Sequence, residues 1–178
     1  SFNRNLESSK FIKRTKKALN KLSHRGPDGQ GLMINPSALL GHARLSIIDI
    51  DNGSQPMLSD DKKMAITYNG EVYNYKEIKN ELISLGHTFR TNSDTEVVLK
   101  AFSQFGIKCL EKLRGMFAFI IVNFETKEFF AVRDRFGIKP LYFSEQNDFF
   151  IFSSEIRPIF HSGLIRPLIN SSKIEEFL

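Results

Sequence analysis

Three places in this chain hold side chains whose types and spacing could do chemistry. Arg44, in GHARLSI, can offer a two-pronged guanidinium to a carboxylate. Glu71, in TYNGEVYNY, and Asp94, in TNSDTEV, can hold an ammonium group. Together the three suit the head group of an α-amino acid. Asn69 adds a carboxamide N–H donor, and Gly70 a backbone N–H with no side chain in the way. Two such donors at one corner can form an oxyanion hole. Each residue also has a plainer reading, as an ion-pair partner, a turn or a helix cap. Other routes to chemistry are poorly served. The sequence has no Gly-rich phosphate loop, no metal-ligand spacing and no G-x-S-x-G, and its His residues, 24, 42, 87 and 161, are scattered.

Such residues need strand ends and a helix start to hold them. Asn-Gly usually closes a hairpin, but Ile78, Leu82 and Leu85 follow at helical spacing and Gly86 stops the pattern. The strand KMAITYNG therefore ends at Gly70, and a helix over 75–85 follows. Ser93 or Asp94 caps the next helix. Glu96 lies three residues after Ser93, as in a capping box, and Val97, Val98, Ala101, Phe102 and Phe105 form the apolar face up to Gly106. A first helix runs from about Glu7 to Leu22 and ends at SHRGPDGQG. Further strands are GLMIN, ALLGHARLSIIDI, LRGMFAFIIVNF, EFFAVRD, PLYFS and DFFIFSS, with a short helix in SEIRPIFHSG. LRGMFAFIIVNF is apolar on both sides and reads as a strand buried on both faces. Helices and strands are segregated rather than alternating. This favours an α+β domain of two stacked, mainly antiparallel sheets between helical layers.

With 178 residues, 41% of them apolar, the chain can build one domain with a substantial core. The 17 Phe residues belong in that core. The net charge of +5 gathers at Lys10, Lys13, Arg14, Lys16, Lys17 and Lys21, on one side of the first helix. A solvated helix face explains it better than nucleic-acid binding, since no RNP motif, zinc spacing or helix-turn-helix pattern accompanies it. No apolar run reaches the roughly 18 residues of a membrane span. SFNRNLESSKFIKR lacks a secretory signal's apolar core. The single cysteine, Cys109, excludes an internal disulfide and fits a reducing, cytoplasmic setting.

A longer set of motifs carries a family resemblance: HRGPDGQG (24–31), RLSIID (44–49), NGSQPM (52–57), YNGEVYNY (68–75), SDTEV (93–97), LRGMFAF (113–119), RDRFGIKPLYF (133–143) and FSSEI (152–156). In this order they resemble the N-terminal glutaminase domain of glutamine-hydrolysing asparagine synthetases. These are class II glutamine amidotransferases of the N-terminal-nucleophile (Ntn) hydrolase fold. The resemblance implies a four-layer αββα sandwich over residues 1–160, with 161–178 as the linker and start of a synthetase domain. It implies that Arg44 pairs with the α-carboxylate of glutamine, that Glu71 and Asp94 hold its α-amino group, and that Asn69 and Gly70 stabilise the oxyanion. The backbone from Leu45 to Ile47 would line the pocket beside a mobile DNGSQPM loop. This domain would need no metal or cofactor. ATP, Mg2+ and aspartate would bind the synthetase part of the same parent chain, and the resemblance leaves room for a homodimer.

The family's nucleophile is an N-terminal cysteine followed by Gly-Ile in a strand, with its own α-amine as base. This chain opens Ser1-Phe2-Asn3. The nucleophile is therefore expected in a strand of six or seven residues ahead of Ser1, and loss of such a group costs about a million-fold in turnover. Cys109, in GIKCLEKLRG, has no α-amine nearby and is not expected to substitute. Ser1 is in the wrong register to do so. As it stands, the chain is expected to be nearly inert alone. The alternative is a non-catalytic glutamine-binding or interaction module.

Overall fold

The structure, a computed structural model, describes residues 6–45, 53–146 and 149–168. In chain order the elements are α1 (Ser9–Leu19), β1 (Gly29–Asn35), β2 (Ala38–Arg44), β3 (Met57–Leu58), β4 (Met64–Val72), α2 (Tyr75–Ser84), α3 (Asp94–Phe105), β5 (Gly115–Asn123), β6 (Phe129–Arg133), β7 (Tyr142–Gln146), β8 (Phe149–Ser153) and α4 (Ile156–His161). The β3–β4–β5–β6 strands form one antiparallel sheet in that order, and β1–β2 and β7–β8 form two hairpins.

β5 is the central strand, with Phe117 to Val122 all buried. Its side chains alternate between two cores, as the pleat requires. Phe117, Phe119 and Ile121 join Ile66, Val72, Leu82 and Val98 beneath α2 and α3. Ile120 and Val122 join Ala65 and Leu40, with Met33 and Phe152 of the two hairpins packed alongside. Each Val, Leu, Ile or Phe among them, fully buried, contributes about 1.5–3 kcal/mol relative to exposure. α1 and α4 pack on each other and on the hairpins. The result is the four-layer αββα arrangement, in which every strand pair is antiparallel.

Several local expectations change. Among the described residues, the hairpin layer is two separate hairpins rather than one continuous sheet. Among the described residues, neither β2 nor β8 has a strand partner on its second edge. β4 does not stop at Gly70 but continues to Val72, because β5 pairs with it as far as Val72↔Gly115. Leu85 is 51% exposed, since α2 ends at Ser84 before the third apolar turn is complete. Ser93 caps α3 by accepting from the Thr95 N–H, but there is no capping box. The buried Glu96 carboxylate turns instead to the preceding segment. It accepts from the N–H groups of Arg90 (3.0 Å) and Thr91 (2.7 Å) and from the Thr91 hydroxyl. Ser93 N–H donates to Thr91 Oγ1.

The loop after β6 is built around one carboxylate. Asp134 is buried and accepts from four backbone N–H groups, those of Phe117, Phe136, Ile138 and Lys139, at 3.0–3.3 Å. Arg133 ties the same loop from outside, donating to the carbonyls of Gly137 and Lys139. Burial works to raise the Asp134 pKa, but the four donors outweigh it and hold the carboxyl below its usual 3.8. A carboxyl depressed in the folded state stabilises at higher pH, and that stability is lost as pH falls through its folded pKa. Asp134→Asn should therefore lower the urea midpoint at neutral pH. The gap to wild type should close in strong acid, where wild type loses the same charge. Urea titrations across that pH range check this.

Candidate functional site

β4 changes partners along its outer edge. β3 pairs with it only at Ile66 and Ala65, because Pro56 has no N–H to extend the ladder. The Gln55 side chain takes over. Its Oε1 accepts from the Tyr68 N–H at 2.6 Å, and its Nε2 donates to the Tyr68 carbonyl at 3.0 Å. Four residues further along, the Val72 N–H donates to Asp94 Oδ2 at 3.0 Å. Amides alternate along a strand. The Gly70 N–H, midway between those of Tyr68 and Val72, therefore points to this same outer edge. Glycine is required at that point by the close approach of β5. A Cβ on Gly70 would lie 2.2 Å from the Met116 carbonyl oxygen.

A cavity of about 330 Å³ opens where this edge meets the end of β2. Arg44, Leu45, Asn69, Gly70, Glu71 and Asp94 all line it. Ile47, the other residue expected to line the pocket, lies outside the described residues, as do Asp51 and Asn52 of the DNGSQPM loop. Thr67, Asn69 and Glu71 alternate onto the face of β4 away from Tyr68 and Val72. The Asn69 Nδ2 is buried and has no acceptor among the described residues. Asp94 begins α3, so its carboxylate sits at the positive end of the helix. Burial raises its pKa, opposed by hydrogen bonds from the Val72 N–H and the Tyr68 hydroxyl, while the Glu71 charge pushes it up.

Residues not singled out from the sequence complete the walls. His42 lines the cavity beside Arg44, and burial, then the Arg44 charge, lowers its pKa to about 4. It is neutral across the physiological range. Lys139 and Leu141 come from the loop organised by Asp134. Arg25 stands on the rim, where it and His24 pair with Glu155 at 3.4 and 2.8 Å. Gln55 sits inside the quoted NGSQPM motif, but its strand-edge role depends on where β3 stops, which no local pattern reveals. Cys109 is fully buried and does not line the cavity, and burial pushes its thiol up to about 11.

A second cavity, about 280 Å³ and mostly apolar, runs between β2 and β8 under α1 and α4. Residues 37–41 bound one side and 149–153 the other, roughly the 17 Å of a five-residue strand. Gly41, Thr67, Phe152 and Ser153 line both cavities, so the two adjoin.

The family model described as a glutamine amidotransferase domain matches residues 2–178. The chain belongs to this family of glutamine amidotransferase domains. Its sequence is 47% identical over 132 residues to asparagine synthetase [glutamine-hydrolyzing] 1 of Bacillus subtilis (strain 168), covering 74% of this chain and 21% of that protein. It is 39% identical over 155 residues to a probable glutamine-hydrolysing asparagine synthetase of Dictyostelium discoideum, covering 86% and 28%. The chain thus spans under a third of the length of these curated relatives. Among solved structures, the fold matches glutamine phosphoribosylpyrophosphate amidotransferase from B. subtilis with a TM-score of 0.72. That match has 23% identity and covers 85% of this chain and 41% of the other. Among the described residues, no helix is long and apolar enough to cross a membrane.

Gln55→Ala would leave the Tyr68 N–H and carbonyl without their partners. It should cost about 1–3 kcal/mol in urea unfolding and speed hydrogen exchange at the Tyr68 amide.

Proposed function

We propose that this domain binds L-glutamine in the cavity between β2 and β4 and releases ammonia from it for a synthetase portion of the same parent chain. The observation that carries this reading is the convergence of Arg44, Glu71, Asp94 and the unpartnered Asn69 Nδ2 on one cavity. Arg44 would fork onto the α-carboxylate, and Glu71 and Asp94 would take the α-ammonium. That leaves the side-chain amide toward Asn69 and Gly70. A thiolate adds to the amide carbon, and the Asn69 Nδ2–H and the Gly70 N–H stabilise the oxyanion. The C–N bond then breaks as the leaving nitrogen takes the proton that the nucleophile's own α-amine removed from its thiol, so ammonia departs, and water cleaves the γ-glutamyl thioester to glutamate and the free thiol.

Cys109 cannot supply the thiolate, because it is buried away from the cavity and its thiol is held protonated. Ser1 lies outside the described residues. In this reading the nucleophile belongs to a Cys-led strand lying in the slot between β2 and β8. Two features support it: the unpartnered strand edges on either side, and the adjoining of slot and cavity at Gly41 and Thr67. The ammonia acceptor would be aspartate, activated by ATP and Mg2+ in the synthetase portion that residues 161–178 lead into. No step in this domain passes through either cofactor, and the described residues hold no acidic, His or Cys cluster suited to a metal.

A second reading rests on the same cavity without a thiol. It makes the domain a glutamine-binding module without turnover. The two separate in one experiment, in which glutamate release is measured for the chain carrying a Cys-led first strand and for the chain beginning at Ser1. The enzyme reading expects release only from the first. If both bind glutamine and neither turns over, the enzyme reading is lost. In either protein Arg44→Ala should weaken glutamine binding by roughly thirty-fold or more in calorimetry, because it removes the charge facing the α-carboxylate.

A further inference from the structure

We propose that Tyr68 is a positioning residue for amino-group recognition: its phenol, together with the Val72 N–H, holds the Asp94 carboxylate in place to meet the substrate's ammonium. This rests on the reading of the cavity as a glutamine site. Tyr68 Oη donates to Asp94 Oδ2 at 2.8 Å, and the Val72 N–H donates to the same oxygen at 3.0 Å. Tyr68 is 3% exposed and Asp94 4%. The tyrosine cannot swing away. Its backbone is held on both polar atoms by Gln55, and its ring lies 6.2 Å, centroid to centroid, from Phe119 within the core. Gln55 Nε2 also reaches Thr95 Oγ1 at 3.3 Å, so one amide ties the tyrosine's backbone to the first turn of α3. For packing alone, phenylalanine would serve at residue 68. The hydroxyl is the one polar atom this side chain brings into an apolar core, and it is directed at Asp94.

The electrostatics agree with the geometry. Burial, then the Asp94 charge, raises the Tyr68 pKa far above neutral, so the phenol remains a donor. Burial also raises Asp94, and each donated hydrogen bond pulls it back toward the ionised form. The other charged and titratable groups around the cavity are Arg25, His42, Arg44, Glu71 and Lys139. Of these, Glu71 disfavours the Asp94 charge, and His42 is neutral above about pH 4. Removing the phenol hydroxyl should therefore weaken ammonium recognition and move its acid limb to higher pH. It should leave the carboxylate and amide ends of the site as they are.

The test compares wild type with Tyr68→Phe by calorimetry from acid to neutral pH. Two ligands are used, L-glutamine and glutaramic acid, which lacks the α-amino group. A parallel 13C carboxyl titration follows Asp94 without any ligand. The expected result is glutamine binding about tenfold weaker or more at neutral pH in the variant. Its acid limb is displaced upward, glutaramic acid binding is unchanged and the Asp94 titration is raised. Equal loss for both ligands, or an unmoved Asp94 titration, overturns the positioning role while leaving the glutamine site standing. A wild-type protein that ignores both ligands at millimolar concentration overturns the glutamine reading, and this inference with it.

Discussion

The outer edge of β4 beyond Ile66 is the constraint on which the site depends. A strand edge inside a packed domain presents N–H and carbonyl groups that must be satisfied, at roughly 1–3 kcal/mol for each one left bare. Here the neighbouring strand ends after two residues, so side chains take over. Gln55 closes the edge at Tyr68 and Asp94 closes it at Val72. Between these two seals lies Gly70, whose N–H faces the same way. The pocket is thus a managed gap in a sheet. The residues that satisfy its borders are also the ones that shape it, which is why the Gln55 amide and the Asp94 carboxylate cannot be sorted into structural and functional roles.

Much of this was legible in the sequence, and the part that was not has a physical reason. Arg44, the Asn69–Glu71 corner and Asp94 stood out because polar side chains at strand ends and a helix start are unusual enough to need a use. α3 was readable from its spacing and its Ser93 cap. Glu96 departs from the expected capping box because that box is a purely local pattern. Its real partners, the Arg90 and Thr91 amides, are set by how the preceding segment folds back. Tyr68 and Gln55 escaped because their meaning is long-range. One looks like a core aromatic and the other like a loop amide until β3, β4 and α3 are in place. The split of the second layer was equally invisible, since PLYFS and DFFIFSS are apolar whatever lies beside them.

The charge arrangement follows from the same economy of space. Arg44 and His42 are two residues apart on β2 and line the same cavity, where two cations would repel. Burial settles the conflict by keeping the imidazole neutral, down to about pH 4. Opposite them, Glu71 and Asp94 are two carboxylates in one cavity, and the Glu71 charge makes that of Asp94 harder to keep. Asp94 meets that cost with two donated hydrogen bonds and the N-terminus of α3. Positive charge gathers on the β2 side and negative charge on the side of α3 and the end of β4. A zwitterionic head group lying between them is matched at both ends.

The split hairpin layer belongs to the same logic. An apolar slot bounded by two strand edges that have no strand partner among the described residues cannot be closed by side chains as the β4 edge is, because Leu39, Leu40 and Phe149 to Phe152 offer no polar groups to the backbone. Backbone from another strand is the one partner that satisfies both edges at once. Such a strand would rest on Ile120 and Val122 and lie beneath α1 and α4. At one end of the slot are Gly41 and Thr67, two of the residues it shares with the cavity of Arg44 and Asn69. A side chain carried at that end would therefore be delivered to the cavity by the same pairing that completes the layer. If the slot takes the proposed Cys-led strand, finishing the fold and placing a nucleophile would be one event.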